Sequence, residues 1–133
     1  MFLLLYTLAI APLAAQEAPK ALICKFDAQV VSEFSNQWNR KIVSGGPSVT
    51  FAAIDLPRSR AQMVGTAGAV DVAVVATGGI LNFVHSFNDG YDVTSVFLRN
   101  EQGGRAPAIM ARHVLLSARP VALQLPGNCE LRR

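Results

Sequence analysis

From Leu22 to Leu125 the chain is a succession of short runs in which apolar and polar residues alternate, each ended by glycine, proline or an Asn/Asp cluster. Alternation with a period of two sends successive side chains to opposite faces of a strand, so this pattern commits the chain to β-structure. Leu22–Ala28 sets Leu22, Cys24 and Phe26 on one face and Lys25 and Asp27 on the other. Further strands are expected at Trp38–Val43, Ser48–Asp55, Gln62–Val64, Val70–Ala76, Ile80–Phe87, Tyr91–Arg99, Ala108–Leu116 and Val121–Leu125. The links between them are turn chemistry, as at Ser44–Pro47, Gly65–Gly68 and Glu101–Arg105. Asn88-Asp89-Gly90 is the clearest hairpin, because Asp-Gly supplies the positive φ angles of a tight turn. Pro126-Gly127 is expected to close the last strand.

One stretch is open to two readings. In Gln29–Asn39, Val30, Phe34 and Trp38 recur at every fourth position, which would align them along one face of a short helix. An irregular strand and loop accommodates the same residues. The rest is β, and eight or so strands with short links predict an all-β fold, a small antiparallel barrel or sandwich. At 133 residues there is room for one domain, assigned to 21–131.

Met1–Ala15 differs from everything after it. Phe2–Ile10 is a nearly continuous apolar run, Pro12 breaks it, and Ala14-Ala15 precedes the polar Gln16-Glu17. That order is the apolar core and cleavage region of a secretory signal peptide, too short for a membrane span of about 20 residues. Residues 16–20 then form a polar lead-in, and the mature chain is expected in the periplasm or outside the cell, with no stable membrane span after cleavage.

Export gives the two cysteines a meaning. Cys24 and Cys129 are the only ones in the chain, and an oxidising compartment favours their pairing. Cys24 falls in the first strand and Cys129 follows the last, so a disulfide would clasp the two ends of the sheet.

No reaction is written as clearly. Two histidines and two cysteines nearly exclude structural zinc and iron–sulfur sites, and no cofactor is expected. The net charge of +3, with no basic stripe, does not call for nucleic acid. Gly-x-Ser-x-Gly is absent, and neither Gly65-x-x-Gly68 nor Gly78-Gly79 carries the Lys-Ser/Thr of a phosphate loop. His85 shares a strand face with Leu81, Phe83 and Phe87, and His113 shares one with Ile109, Ala111 and Leu115. Both read as polar tips on apolar faces, at a core edge or a pocket wall. Asp89 and Asp92 flank Gly90 and read as turn residues rather than paired acids.

Cys24-Lys25-Phe26, Leu81-Asn82-Phe83-Val84, Thr94-Ser95-Val96, Ala111-Arg112-His113 and Gln124-Leu125-Pro126-Gly127-Asn128-Cys129 occur in that order. In this the chain resembles a group of small exported proteobacterial proteins of unknown function, with Cys-x-Phe early, Ser-Arg-His late and Ser-Gln-Tyr-x-Gly-x-Cys at the end. Ala111 stands where that group has Ser, and Leu125 where it has Tyr. The resemblance implies a compartment rather than an activity, and it singles out Arg112, His113 and Gln124. Together with His85 these are the expected contacts for a ligand or partner.

The chain therefore reads as an exported cell-envelope binding or interaction module without catalytic activity, for a small apolar ligand or an envelope protein. The alternative is a small proteinaceous inhibitor of a secreted hydrolase such as a lysozyme. A ligand binder should be hollow. An inhibitor should have a solid core and a protruding segment, with Ser44–Pro47 and Asn100–Arg105 as the candidates.

Overall fold

The computed structural model describes residues 18–133, so the expected signal peptide and the start of the lead-in lie outside the described residues. Ten strands follow one another: β1 (Ala21–Phe26), β2 (Ala28–Phe34), β3 (Trp38–Ser44), β4 (Ser48–Asp55), β5 (Arg60–Gly65), β6 (Gly68–Thr77), β7 (Ile80–Phe87), β8 (Gly90–Phe97), β9 (Arg105–Leu116) and β10 (Arg119–Arg132). A lone 3-10 turn, Leu98–Asn100, separates β8 from β9. The order β1-β4-β5-β6-β7-β8-β9-β10 closes on itself through antiparallel pairing of β10 with β1, which makes an eight-stranded barrel and not a sandwich. The β2–β3 hairpin continues beyond it as an extension of the same sheet.

β10 makes both structures possible by changing neighbours along its length. Its second half, Gly127–Arg132, pairs with Phe26–Ala21 of β1, and its first half, Val121–Gln124, pairs with Glu33–Val30 of β2. β9 covers its other edge from Arg119 to Glu130. Between the two registers the β1–β2 side carries one extra residue, a bulge at Asp27, whose N–H donates to the Pro126 carbonyl. Pro126-Gly127 is thus not the end of the last strand, as the sequence suggests, but the point of exchange inside a longer one. Proline is tolerated at such a break in the ladder. Gly127 is needed because a Cβ there would strike the Lys25 carbonyl and the Phe26 ring.

The helix considered for Gln29–Asn39 does not form; β2, a turn and the start of β3 occupy the stretch. Four-residue spacing is also an even spacing, so alternation puts Val30 and Phe34 on one face just as a helix would. Trp38 joins that face because it lies directly opposite Phe34 across the hairpin. Pairing with β10 on one edge, from Val30 to Glu33, and with β3 on the other decides between the readings. The Asn88-Asp89-Gly90 hairpin does form, with Phe87 opposite Gly90. Its glycine, however, has no positive φ. Gly90 is required because a Cβ would collide with the His113 carbonyl, where β8 and β9 run close together.

The lumen is filled with side chains. Leu22, Phe51, Leu81, Phe83, Val96 and Met110 are among the fully buried residues, and the rings of Phe51 and Phe83 stack with centroids 4.1 Å apart. Filling suits eight strands, whose interior is just wide enough for side chains. Cys24 and Cys129 oppose each other across the β1–β10 seam, with α-carbons 4.0 Å apart, and form the disulfide. The bond sits inside the core and pins the closure of the barrel.

Nearby, the Arg133 guanidinium donates to both oxygens of Glu101 at 2.9 Å. Those hydrogen bonds hold the Glu101 carboxyl below its ordinary pKa.

Two outcomes follow from this seam. Cys24→Ala with Cys129→Ala should leave a folded barrel whose unfolding free energy falls by about 2–5 kcal/mol, measured by urea denaturation. Because the folded pKa of Glu101 is depressed, its contribution is complete above the unfolded value and is lost as pH falls through the folded one. Glu101→Gln should therefore flatten the acid side of the stability–pH curve, and an unchanged acid slope would contradict the ion pair's role.

Candidate functional site

Residues that face each other in an antiparallel ladder send their side chains to the same face, so the register gives the site directly. His85 on β7 opposes Asp92 on β8, Asp92 opposes Arg112 on β9, and Arg112 opposes Leu123 on β10. This row points inward, near the barrel end that carries the Asn88–Asp89 turn. Arg112 Nη2 donates to Asp92 Oδ2 at 3.0 Å. His85 Nδ1 lies 3.5 Å from the same oxygen, within ionic reach but not aligned as a hydrogen bond. The guanidinium of Arg112 sits 5.7 Å from the centre of the Phe87 ring, which lies beside His85.

Asp92 is the centre of the row and is 1% exposed. It is not a turn residue, as its place beside Gly90 suggested, but a strand residue on the inward face with Thr94 and Val96. Alternation from Gly90 carries the signal: Asp92 falls on the same parity as its two buried successors. A carboxylate this deep needs a cation or hydrogen bonds, and Arg112 supplies both. His85 Nδ1, Arg112 Nε and Thr94 Oγ1 are buried without a hydrogen-bond partner among the described residues.

His113 and Gln124 point the other way. His113 follows Arg112 on the strand, so its ring lies on the outer face, where its Nδ1 is 3.0 Å from the Tyr91 hydroxyl. Gln124 is exposed on that face, opposite Ala111 and Val30. The four expected contact residues are thus split between two surfaces, His85 with Arg112 inside and His113 with Gln124 outside.

The outer surface carries the larger feature. Where the hairpin extension leaves the barrel, Trp38, Tyr91, His113, Leu115, Pro120 and Ala122 line an open groove of about 460 Å³. Its walls are almost wholly apolar. Trp38 is 59% exposed and Leu115 50%, and Phe34 stands beside Trp38 with ring centres 5.4 Å apart. Sequence reading places His113 here but misses Trp38, Tyr91, Leu115 and Pro120, because their convergence depends on β2 and β3 being strands. Each suggested loop has a backbone hydrogen bond to the rest of the sheet: the Gly45 N–H donates to the Asp27 carbonyl, and the Gly104 carbonyl accepts from the Leu131 N–H. The element outside the ring is the β2–β3 hairpin.

For chemistry, the inner row offers an imidazole near a carboxylate and a guanidinium. Among the described residues no serine, threonine or cysteine is hydrogen-bonded to either histidine, and no three His, Cys, Asp or Glu side chains converge as a metal site would need. No family model matches the chain, and no curated protein or solved structure matches it either.

If Arg112 neutralises Asp92, Arg112→Met should strand a buried negative charge and lower stability by about 2–3 kcal/mol. That is less than the ~3–5 kcal/mol of a fully buried pair, because the Arg112 side chain is 42% exposed. Arg112→Met combined with Asp92→Leu should regain most of the loss. A double variant no more stable than the single one in thermal melts would show that the charge is not what Arg112 serves.

Proposed function

We propose that this protein is an exported interaction module, periplasmic or secreted, that grips an apolar side chain of a partner protein in the groove at the root of the β2–β3 hairpin. The observation that carries this reading is the groove itself: apolar, open, and built by residues the core does not need. Of its lining, Trp38, Tyr91 and Leu115 are all more than one-third exposed while the lumen is already filled. Isolated exposed apolar residues are ordinary; a contiguous set around a concave surface marks a contact site. An aromatic wall with a polar corner of Tyr91, His113 and Asp89 is the composition typical of binding hot spots. The filled lumen argues against a small apolar ligand inside the barrel. Export is supported by the Cys24–Cys129 disulfide, which persists where thiols are oxidised, and by the apolar opening of the sequence.

The solid core and the hairpin outside the ring also favour a second reading, inhibition of a secreted hydrolase such as a lysozyme by insertion of the hairpin into its cleft. Both readings place recognition at Trp38 and neither gives the protein a reaction of its own.

Panning a displayed peptide library against the folded domain should enrich peptides with an aromatic or aliphatic anchor. In anisotropy titrations of a labelled winner, Trp38→Ala and Leu115→Ser should each weaken binding at least tenfold, as removal of a hot-spot contact does. Winners that bind both variants undiminished would overturn the groove reading. A loss of lysozyme activity on adding the protein, abolished by Trp38→Ala, would select the inhibitor.

A further inference from the structure

We propose that the free edge of β3 is a docking strand for an extended partner segment in which two consecutive acidic residues follow a pair of apolar ones and precede a polar and an aromatic one. This rests on the binding reading above and states what the partner looks like. β3 ends the strand order: it pairs with β2 on one side and, among the described residues, with nothing on the other. All seven of its residues are exposed. A row of unpaired backbone groups beside an apolar groove is the arrangement that accepts an added strand, with the main chain giving affinity and alternate side chains giving selectivity.

The side chains of β3 specify the visitor. Alternation puts Trp38, Arg40 and Ile42 on the groove face and Asn39, Lys41 and Val43 on the other. Arg40 and Lys41 have no ion-pair or hydrogen-bond partner for their side chains among the described residues. β3 holds no acid. An antiparallel strand laid along this edge meets Val43 and Ile42 first, then Lys41 and Arg40, then Asn39 and Trp38. Cross-strand matching calls for apolar, apolar, acidic, acidic, polar and aromatic residues in that order. The acidic pair would serve both faces at once, since consecutive residues of the visitor point to opposite sides.

Two other roles for this edge fit less well. A second copy of the chain pairing β3 against β3 about its middle would set Lys41 against Lys41 or Arg40 against Arg40, which like charges oppose. Basic residues on an edge also discourage unwanted pairing, and that accounts for Arg40 and Lys41. It does not account for Trp38 and Ile42, 59% and 77% exposed on the same strand.

The test uses the disulfide-bonded protein and a fluorescent, end-capped peptide, Val-Ile-Glu-Glu-Thr-Phe, read by anisotropy. A second peptide replaces the two glutamates by lysines, and a third keeps the sequence but carries N-methyl groups on alternate backbone nitrogens, in both phases. The acidic peptide should bind at least tenfold more tightly than the basic one. The double variant Arg40→Glu, Lys41→Glu, with an unchanged melting temperature, should reverse that preference. N-methylation in one phase should abolish binding. No binding of the acidic peptide, equal binding of acidic and basic peptides, or indifference to N-methylation in both phases would overturn the proposal, as would a dimer in sedimentation that the double variant dissolves. Indifference to N-methylation with continued dependence on Trp38 would overturn edge docking alone and leave the groove reading standing; independence from Trp38 would remove the groove as well.

Discussion

Everything in this fold hangs on β10 serving two neighbours on one edge. A 14-residue strand is longer than an eight-stranded barrel of this size needs for closure. Its second half completes the ring by pairing with β1, and its first half, left over, carries β2 and β3 out of the ring. The exchange costs one bulged residue at Asp27 and demands a residue without a Cβ at Gly127. In return the sheet gains an extension whose two faces are not both committed to the core. The disulfide pins the closing half of β10, so the extending half is anchored at a point that cannot slip. A one-residue slip there would turn every inward residue of β10 outward.

The same sheet separates two kinds of chemistry by parity alone. Arg112 and His113 are neighbours in sequence, yet one is inside with a buried carboxylate and the other outside with a tyrosine hydroxyl. The inner row satisfies a charge that the barrel end has taken out of water, and it binds β7, β8 and β9 through side chains as well as backbone. The outer row has no such internal purpose. Strain is found nearby: Ser117 and Ala118, the two-residue turn joining β9 to β10, both have positive φ although neither is glycine. Asn-Gly would be the relaxed choice for such a turn, and each left-handed residue costs of order 1 kcal/mol. The turn lies at the end of the two strands that carry Leu115 and Pro120 into the groove.

How much of this could be read in the sequence follows from what each feature depends on. Runs such as Ile80–Phe87 and Val70–Ala76 declare their strands locally, because alternation, β-branched residues and flanking glycines agree. The Cys24–Cys129 bond was legible from the count and position of the cysteines together with the apolar opening that points to export. Gln29–Asn39 was not, because an apolar residue at every fourth position satisfies both periods and only a long-range partner, β10, separates them. Pro126-Gly127 looks like punctuation and is a crossing point, which only the presence of Lys25 and Phe26 beside it reveals. Asp92 was obscured by its distance of two residues from a real turn. The groove was out of reach for the same reason as β2: its residues come from β3, β8, β9 and β10 and meet only once the extension exists.

An eight-stranded barrel with a filled lumen has few places to do anything. Its interior is occupied by Phe51, Phe83, Met110 and the disulfide, and most of its strand edges are consumed by closure. What closure leaves over is the extension, and there the two scarce resources of a small β-protein occur together: unpaired backbone along β3 and apolar surface at Trp38, Ile42 and Leu115. In a protein selected only for stability, exposed apolar side chains on an exposed edge are a liability, because they invite aggregation. Cutting β2 and β3 away would leave the barrel order intact, since neither belongs to the ring. An element that closure does not require, and that adds hazard to the molecule, is therefore better explained by what it meets than by what it holds together.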